Sequence, residues 1–269
     1  MHAPQDLRGT FDSVALLYHE ARPRYPPDLF DALVESAALE PGDHLLEVGC
    51  ATGIATLPLA ERGFRVTCVE IGEQLVEQAR KNLSSFPNVC VQHGAFETWQ
   101  PSEAGTFDLV VAATAWKWLD PAVRYRRAWE LLRPEGHLAF WSATHVFPDG
   151  GDPFFAEIQQ VYDQIGAGMP DASARHKSGQ LHNEVAEIEA SGLFQPVLVR
   201  EFDWEVDYSA DAYLRLLDTF SNHIAMERWQ RERLYTAIRH RLRERSSGTL
   251  RRGWGAVLHV ARRDDGAAQ

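Results

Sequence analysis

The amino-acid sequence predicts an α/β fold with a doubly wound, mostly parallel sheet of seven strands and helices on both faces. Short apolar runs alternate with amphipathic stretches over residues 27–142, which indicates strand–helix–strand crossovers. A loop of small residues follows the first apolar run, and such sheets bind ligands at loops in that place. The chain has 269 residues, 45% of them hydrophobic, so it can bury a sizeable core.

The first half of the chain contains five predicted strands with helices between them. Apolar residues at spacings of three and four predict a helix over residues 27–39, which the Pro41-Gly42-Asp43 turn ends. The predicted strands are residues 44–48, 64–69, 88–92, 107–112 and 137–142; the predicted helices lead up to Arg62 and cover residues 75–83 and 121–132.

The regular alternation stops after Ala143. Residues 146–182 hold Pro- and Gly-rich turns around one amphipathic piece at 154–165, which favours a lid-like insertion. Regular structure then resumes with a helix at 183–191, a strand at 196–206, a long helix from near Ile224 and a last strand at 255–261. We therefore predict four parts: an N-terminal helical cover (1–40), a cofactor-binding α/β core (41–145), the lid-like substrate insertion (146–182) and a C-terminal part that completes the sheet (183–269).

Composition limits the partners and the location. With 27 basic and 38 acidic residues the net charge is −11, which opposes a nucleic-acid backbone and favours a small-molecule partner. The three cysteines, Cys50, Cys68 and Cys90, have no metal-ligand spacing, so we expect no metal site and a reduced, cytoplasmic location. No leader pattern or apolar run of about 20 residues indicates export or membrane insertion. The sequence leaves the oligomeric state open.

The loop after the first strand reads Glu47-Val-Gly-Cys-Ala-Thr-Gly53. Gly49 and Gly53 permit positive φ angles and a close approach of backbone to ligand. Glu70 follows at the end of the second strand, where its carboxylate can accept hydrogen bonds from the two hydroxyls of a ribose. Together these residues predict a cofactor that contains adenosine.

The residues around the loop favour S-adenosyl-L-methionine over a dinucleotide. A dinucleotide site uses G-x-G-x-x-G, and Ala51 stands where the middle glycine belongs. The acidic Glu47 just upstream repels a pyrophosphate but suits an amino group, and S-adenosyl-L-methionine carries an ammonium, a sulfonium and no phosphate. Two alternatives stay open: an NAD-dependent oxidoreductase, and a non-catalytic protein that binds an adenosine ligand.

The sequence resembles class I S-adenosylmethionine-dependent methyltransferases of the small-molecule type. Residues 47–53 are similar to the glycine-rich first motif of that family, and Glu70 to its acidic ribose ligand. The resemblance implies that Ala95 and Phe96, within His93-Gly-Ala-Phe-Glu97, line the adenine, and that Ala113 at the end of the fourth strand borders the methyl donor. Ile71 belongs with them among the expected cofactor-binding residues.

Two further stretches resemble a subgroup that includes trans-aconitate methyltransferase-like proteins. Residues 18–26 are similar to its Y-x-x-x-R-P-x-Y-P segment, and residues 113–120 to its A-x-A-F-H-W-F-D segment. The resemblance implies that Tyr18 and Arg22 line the cofactor and that Arg22 pairs with its carboxylate. Lys117 replaces the usual histidine, so neither the acceptor nor a histidine-based proton acceptor is carried over.

The acceptor side is less well defined. We expect Trp116 and Lys117 to face the substrate, against the alternative that Trp116 packs on the sheet. His145, at the carboxyl end of the fifth strand, is the candidate general base, against the alternative of a solvated turn. The predicted function is in-line methyl transfer to a small-molecule acceptor, for which positioning supplies up to about 7–11 kcal/mol. The acceptor atom, O, N, S or C, is left open. Asp108, at a strand start, is expected to be structural.

Overall fold

One mixed sheet forms the centre of the computed structural model, which describes residues 12–101, 106–167 and 176–266. Its strands are β1 (His44–Val48), β2 (Arg65–Glu70), β3 (Val89–His93), β4 (Phe107–Ala113), β5 (Leu132–Trp141), β6 (Thr144–Val146), β7 (Phe194–Ser209) and β8 (Thr249–Arg263). Strands β3-β2-β1-β4-β5 lie in that order and are parallel. β8 pairs antiparallel with β5, β6 and β7.

Helices cover the sheet and its extended antiparallel end. They are α1 (Ala15–Ala21), α2 (Pro27–Ser36), α3 (Thr56–Glu61), α4 (Glu73–Asn82), α5 (Arg124–Leu131), α6 (Phe154–Gln164), α7 (Val185–Ala190), α8 (Ala210–Leu217), α9 (Ser221–Ile224) and α10 (Arg228–Arg243). A short 3₁₀ turn at Trp116–Trp118 follows β4. Local sequence explains several helix starts: α2 begins at a proline, Ser209 caps α8, and Glu227 with Gln230 forms a capping box for α10.

The order of the strands places the ligand crevice. The chain runs outward from β1 through β2 to β3, returns to β4 beside β1, and continues to β5. The direction of winding therefore reverses between β1 and β4, and the loops after these strands diverge there. In β1, Leu45, Leu46 and Val48 are fully buried, as expected for a central parallel strand covered on both faces. Asp108 accepts a hydrogen bond from the backbone N–H of His44 (2.8 Å), which fits the structural role expected for it.

Three apolar clusters hold these layers together. One packs α2, α3 and α4 on one face of the sheet, and a second packs α5 and α7 on the other. A third joins α6, α8 and α10 over the extended parts of β7 and β8. The helix of the predicted insertion therefore packs with helices of the C-terminal part.

The predicted α/β fold is confirmed, with local differences. The structure adds the three-residue strand β6, so the described residues form eight strands rather than seven. β7 and β8 extend beyond their predicted ends, and α1 and α8 were not predicted. The long helix expected from near Ile224 begins at Arg228, after the separate turn α9. The four-part domain division stays a prediction, and residues 168–175 of the insertion lie outside the described residues.

The described residues contain neither a membrane-spanning helix nor a metal-binding cluster. Across residues 12–101, 106–167 and 176–266, none of the helices combines the length and apolar character needed to cross a bilayer. Over the same ranges, no group of three or more His, Cys, Asp or Glu side chains is placed to hold a metal ion.

Candidate functional site

A cavity of about 480 Å³ opens at the carboxyl ends of β1, β2 and β4. This volume is typical of a site for a small molecule or cofactor. Its walls come from α1, from the loops after β1, β2, β3 and β4, and from three segments of the second half of the chain, at residues 143–145, 220–222 and 252–254. Ten of the predicted site residues line it: Tyr18, Arg22, Gly49, Glu70, Ile71, Ala95, Phe96, Ala113, Lys117 and His145.

Both predicted loop glycines have positive φ angles, +65° at Gly49 and +87° at Gly53. A Cβ on Gly49 would lie 2.6 Å from the Cβ of Ala115, so the glycine lets the loops after β1 and β4 touch. A Cβ on Gly53 would lie 2.8 Å from Leu83 Cδ1. Gly53 is not among the residues that line the cavity and lies close to Leu83 at the end of α4, so its cofactor-binding role stays a prediction.

Glu70 links two of the loops that form the cavity. Its Oε2 accepts a hydrogen bond from the backbone N–H of Ala51 (2.8 Å), and its Oε1 accepts one from Gly72 (2.9 Å). Ala51 has φ +48°, a conformation that glycine usually adopts, and its amide is aimed at this carboxylate. Burial raises the pKa of Glu70, and the two backbone hydrogen bonds oppose that shift. Each carboxylate oxygen can accept another hydrogen bond, so the cavity side of Glu70 can still bind hydroxyl groups.

Glu47 is a buried carboxylate with unused bonding capacity. It is 1% exposed, and its Oε2 has no hydrogen-bond partner among the described residues. Burial raises the pKa of Glu47 to about 7; a hydrogen bond from Thr56 lowers it, and the nearby Glu70 raises it. A small cavity of about 30 Å³ borders Glu47 and shares Gly49 and Ala51 with the main cavity. A cationic group placed there would stabilise the ionised carboxylate.

The loops after β2 and β3 form an apolar side of the cavity. Ile71 is 43% exposed although it is a large aliphatic residue, and its exposed surface lines the cavity. Ala95 and the buried Phe96 form the adjoining wall, and the backbone N–H of Gly94 donates to Glu70 O (2.9 Å). A flat aromatic group such as adenine fits apolar walls of this kind.

Helix α1 lies along another wall. Arg22 donates from Nε to Thr219 Oγ1 (2.9 Å) and from Nη2 to Thr219 O (2.7 Å). Its guanidinium carbon lies 4.8 Å from the centre of the Tyr18 ring. Farther along the segment, the Tyr25 hydroxyl is hydrogen bonded to Thr114 Oγ1 (2.8 Å) after β4. These contacts hold the N-terminal segment against both halves of the chain.

Trp116 requires a correction. We expected its indole to face the substrate, but it is 1% exposed and stacks on Phe140 with ring centres 5.0 Å apart. The 3₁₀ turn directs this side chain into the core, and Trp118, two residues later, lines the cavity in its place. Apolar periodicity carries no signal that distinguishes these two tryptophans.

Lys117 and His145 both line the cavity. Desolvation by the surrounding walls lowers the pKa of the Lys117 ammonium, Arg22 lowers it further, and Glu184 opposes the shift. The His145 ring packs against Phe147 and Phe155, with centres 4.0 and 4.4 Å away. The substrate role of Lys117 and the catalytic role of His145 stay predictions.

Several cavity residues were not found by sequence reasoning. Thr114, Phe220, Asn222, Arg252 and Trp254 all line the cavity. Thr114 has φ +61° and accepts from the backbone N–H of Ala143 (3.3 Å), so it joins the ends of β4 and β5. The others lie more than 150 residues beyond the first loop, and no local motif marks them.

The residues present fit an adenosyl amino acid. The unused oxygen of Glu47 suits an ammonium group, Glu70 suits ribose hydroxyls, and Arg22 suits a carboxylate. A pyrophosphate would instead meet two buried carboxylates beside the first loop, which disfavours a dinucleotide.

Comparisons with known proteins indicate a methyltransferase. The sequence profile of a methyltransferase-domain family matches residues 46–140. A malonyl-[acyl-carrier protein] O-methyltransferase of Geobacter sulfurreducens is 31% identical over 191 residues, which cover 68% of this chain and 67% of that protein. An uncharacterized methyltransferase of Mycobacterium tuberculosis is 32% identical over 134 residues, and the match spans about half of each protein, 50% and 52%.

A solved structure gives the same result over a longer span. A protein from Anaeromyxobacter dehalogenans, described as a candidate type II methyltransferase, superposes with a TM-score of 0.65 at 25% identity and covers 90% of this chain and 97% of its own. The match covers most of the chain and is therefore not limited to its first half. The chain therefore belongs to the class I S-adenosylmethionine-dependent methyltransferases.

Proposed function

We propose that this chain binds S-adenosyl-L-methionine in the cavity at the ends of β1, β2 and β4 and transfers its methyl group to a small-molecule acceptor. The buried Glu47, with one carboxylate oxygen unused beside the glycine loop, is the observation that carries the proposal. A buried carboxylate oxygen seldom lacks a partner, and a positively charged ligand supplies one.

Each wall of the cavity would hold one part of the cofactor. Glu47 would bind the ammonium group and Arg22 the carboxylate of the methionine part. Glu70 would accept hydrogen bonds from the ribose. Ile71, Ala95 and Phe96, which line the cavity, would pack on the adenine. Tyr18, Gly49 and Ala113 would complete the wall around the methionine part.

The bound cofactor supplies a methyl group that its sulfonium already makes reactive. The chain's own residues therefore act mainly by position: Arg22 and Glu47 fix one end of the cofactor and Glu70 the other. Holding two reactants about 3–3.5 Å apart in line can contribute about 7–11 kcal/mol. Removal of a proton from the acceptor, where the acceptor needs it, would fall to His145 or Lys117, since both line the cavity.

The finer placement within the family is also a proposal. We assign the chain to the trans-aconitate methyltransferase-like subgroup, because Tyr18 and Arg22 of the N-terminal motif line the cavity and Tyr25 of the same motif is bonded to Thr114. Relatives named malonyl-[acyl-carrier protein] O-methyltransferases support a small acceptor group. The net charge of −11 disfavours nucleic acid as an acceptor.

Binding and turnover test the proposal separately. Calorimetric titration of the wild-type chain should show binding of S-adenosylhomocysteine and none of NADH. Mass spectrometry with a methyl-labelled donor and a panel of metabolites should then show a labelled product. Binding heat from NADH but not from S-adenosylhomocysteine would contradict the proposal and indicate an NAD-dependent oxidoreductase. Tight binding of S-adenosylhomocysteine without any labelled product over a broad panel would favour a non-catalytic binding protein.

A further inference from the structure

We propose that Arg252 forms an oxyanion subsite in the acceptor half of the cavity, so that the methyl acceptor carries a carboxylate or phosphate group. This inference rests on the proposed function, because it assigns a property of the acceptor in that reaction. It concerns a residue of β8 that belongs to neither the glycine loop nor the N-terminal motif.

Arg252 is buried in a cage of aromatic rings. It is 7% exposed, and it lines the main cavity. Its guanidinium carbon lies 4.4 Å from the centre of the Trp254 ring, 5.4 Å from Phe220 and 6.0 Å from Tyr213. Nη1 donates a long hydrogen bond to the Tyr213 hydroxyl (3.3 Å). Nε has no hydrogen-bond partner, and no carboxylate forms an ion pair with Arg252, among the described residues.

The side chains whose pKa Arg252 shifts do not balance its charge in the described part of the chain. They are three phenols and an imidazole: Tyr162, Tyr208, Tyr213 and His223. Burial raises the pKa of each tyrosine, and burial together with Arg252 lowers the pKa of His223 to about 4. All four are therefore uncharged near neutral pH. Aromatic faces offset part of the cost of desolvating a guanidinium, but they leave its charge unpaired.

In the proposed binding mode, the charged groups of the cofactor pair with residues other than Arg252. S-adenosyl-L-methionine carries one carboxylate and two cationic centres. Arg22 is placed for the carboxylate, and Glu47 and Glu70 lie on the side of the glycine loop. Two cations, Lys117 and Arg252, then remain in the wall of the cavity. An acceptor with a negative group would pair with them, and the free edge of a guanidinium matches the oxygens of a carboxylate or a phosphate.

The stability of the ligand-free protein gives a second expectation about Arg252, independent of ligand binding. A buried unpaired charge costs stability, so a residue kept only for packing would not need to be an arginine. The unfolding midpoint of a ligand-free Arg252→Met variant should therefore equal or exceed that of the wild type. A midpoint below that of the wild type would show instead that Arg252 supports the fold.

The test is an anion titration with matched neutral probes. Succinate and glycerol phosphate, with succinamide and glycerol as their uncharged counterparts, are titrated by calorimetry into the complex with S-adenosylhomocysteine and into the free protein. We expect one of the oxyanions to bind and the uncharged probes not to bind; succinate indicates a carboxylate acceptor and glycerol phosphate a phosphate acceptor. Arg252→Met should weaken that binding about 10- to 100-fold, with the affinity for S-adenosylhomocysteine unchanged.

Arg251 provides the matched control. It precedes Arg252 on β8 but is exposed and paired with Asp207, so Arg251→Met should leave oxyanion binding unchanged. Arg252→Lys, which keeps a charge at the same place, should bind the oxyanion better than Arg252→Met. Equal binding of charged and uncharged probes, no binding of either oxyanion, or undiminished binding by Arg252→Met would overturn the inference. Failure of S-adenosylhomocysteine to bind would refute the proposed function, while the titration of the free protein would still decide the role of Arg252.

Discussion

Binding of the cofactor should release a proton from Glu47. In the free protein burial raises the pKa of this carboxyl to about 7, so near pH 6 it is mostly protonated. An ammonium group beside the carboxylate favours its ionised form and lowers that pKa. Ligand binding and loss of the proton are therefore coupled, and affinity must rise with pH until Glu47 is already ionised in the free protein.

The size of the effect follows from that pKa. If the ammonium keeps Glu47 ionised in the complex throughout the range, the affinity for S-adenosylhomocysteine should increase about 30-fold between pH 5.5 and 8. Near pH 6, binding should release close to one proton.

The raised pKa of Glu47 also affects folding, because a carboxyl with a raised pKa binds its proton more tightly when folded. Its contribution is present below pH 4.5 and is lost as pH rises to about 7, by about 3 kcal/mol in total.

Calorimetry can measure both quantities. S-adenosylhomocysteine is titrated at several pH values in pairs of buffers with different ionisation enthalpies, so that the heat reports the number of protons released. In Glu47→Gln the affinity should lose this pH dependence, fall below that of the wild type at pH 8 and approach it at pH 5.5. Glu70→Gln is the matched control, because it removes the neighbouring acid, whose pKa burial also raises, but retains Glu47.

Two results would refute this reasoning. One is a wild-type affinity that changes less than about 3-fold over the range, since a pKa near 7 requires a larger change. The other is a pH dependence that survives in Glu47→Gln but disappears in Glu70→Gln. That result would assign the proton to Glu70 and leave the ammonium contact without support.

Three further substitutions test other contacts. Glu70→Ala should weaken binding of S-adenosylhomocysteine by about 1–3 kcal/mol through loss of the hydroxyl acceptors, and unchanged affinity in a titration would contradict the ribose contact. Gly49→Val should weaken binding further, because even a Cβ would lie 2.6 Å from Ala115; wild-type affinity would show that the loop can adjust. Trp116→Ala should lower the free energy of unfolding by about 3–5 kcal/mol in denaturant melts, because it empties a core position stacked on Phe140. A loss of cofactor binding without a loss of stability would instead return Trp116 to the site.

Sequence reasoning succeeded where structure and chemistry are local. The first strand, its small-residue loop and Glu70 lie within 27 residues (44–70), and the sheet brings these parts together because β1 pairs with β2. Apolar runs also located each parallel strand to within one residue, except that β5 begins five residues before its predicted start. Resemblance to a motif was needed to assign Tyr18 and Arg22 to the same cavity.

The rest of the site depends on contacts between distant parts of the chain. Phe220 and Arg252 reach the cavity because β8 inserts antiparallel beside β5, and α8 and α9 precede it on the same side as α1. Those contacts follow from tertiary packing, so no spacing in the sequence reveals them. Trp116 shows that a local feature can also escape prediction, since a single 3₁₀ turn determines which of two nearby tryptophans enters the core.

The attachment of α1 has a consequence for the order in which the molecule assembles. Arg22 is synthesised early, yet its partner Thr219 follows 197 residues later. This contact can therefore form only after most of the chain has left the ribosome, whereas the contact of Tyr25 with Thr114 can form earlier. Because α1 is also a wall of the cavity, the cavity is complete only when both halves of the chain have come together.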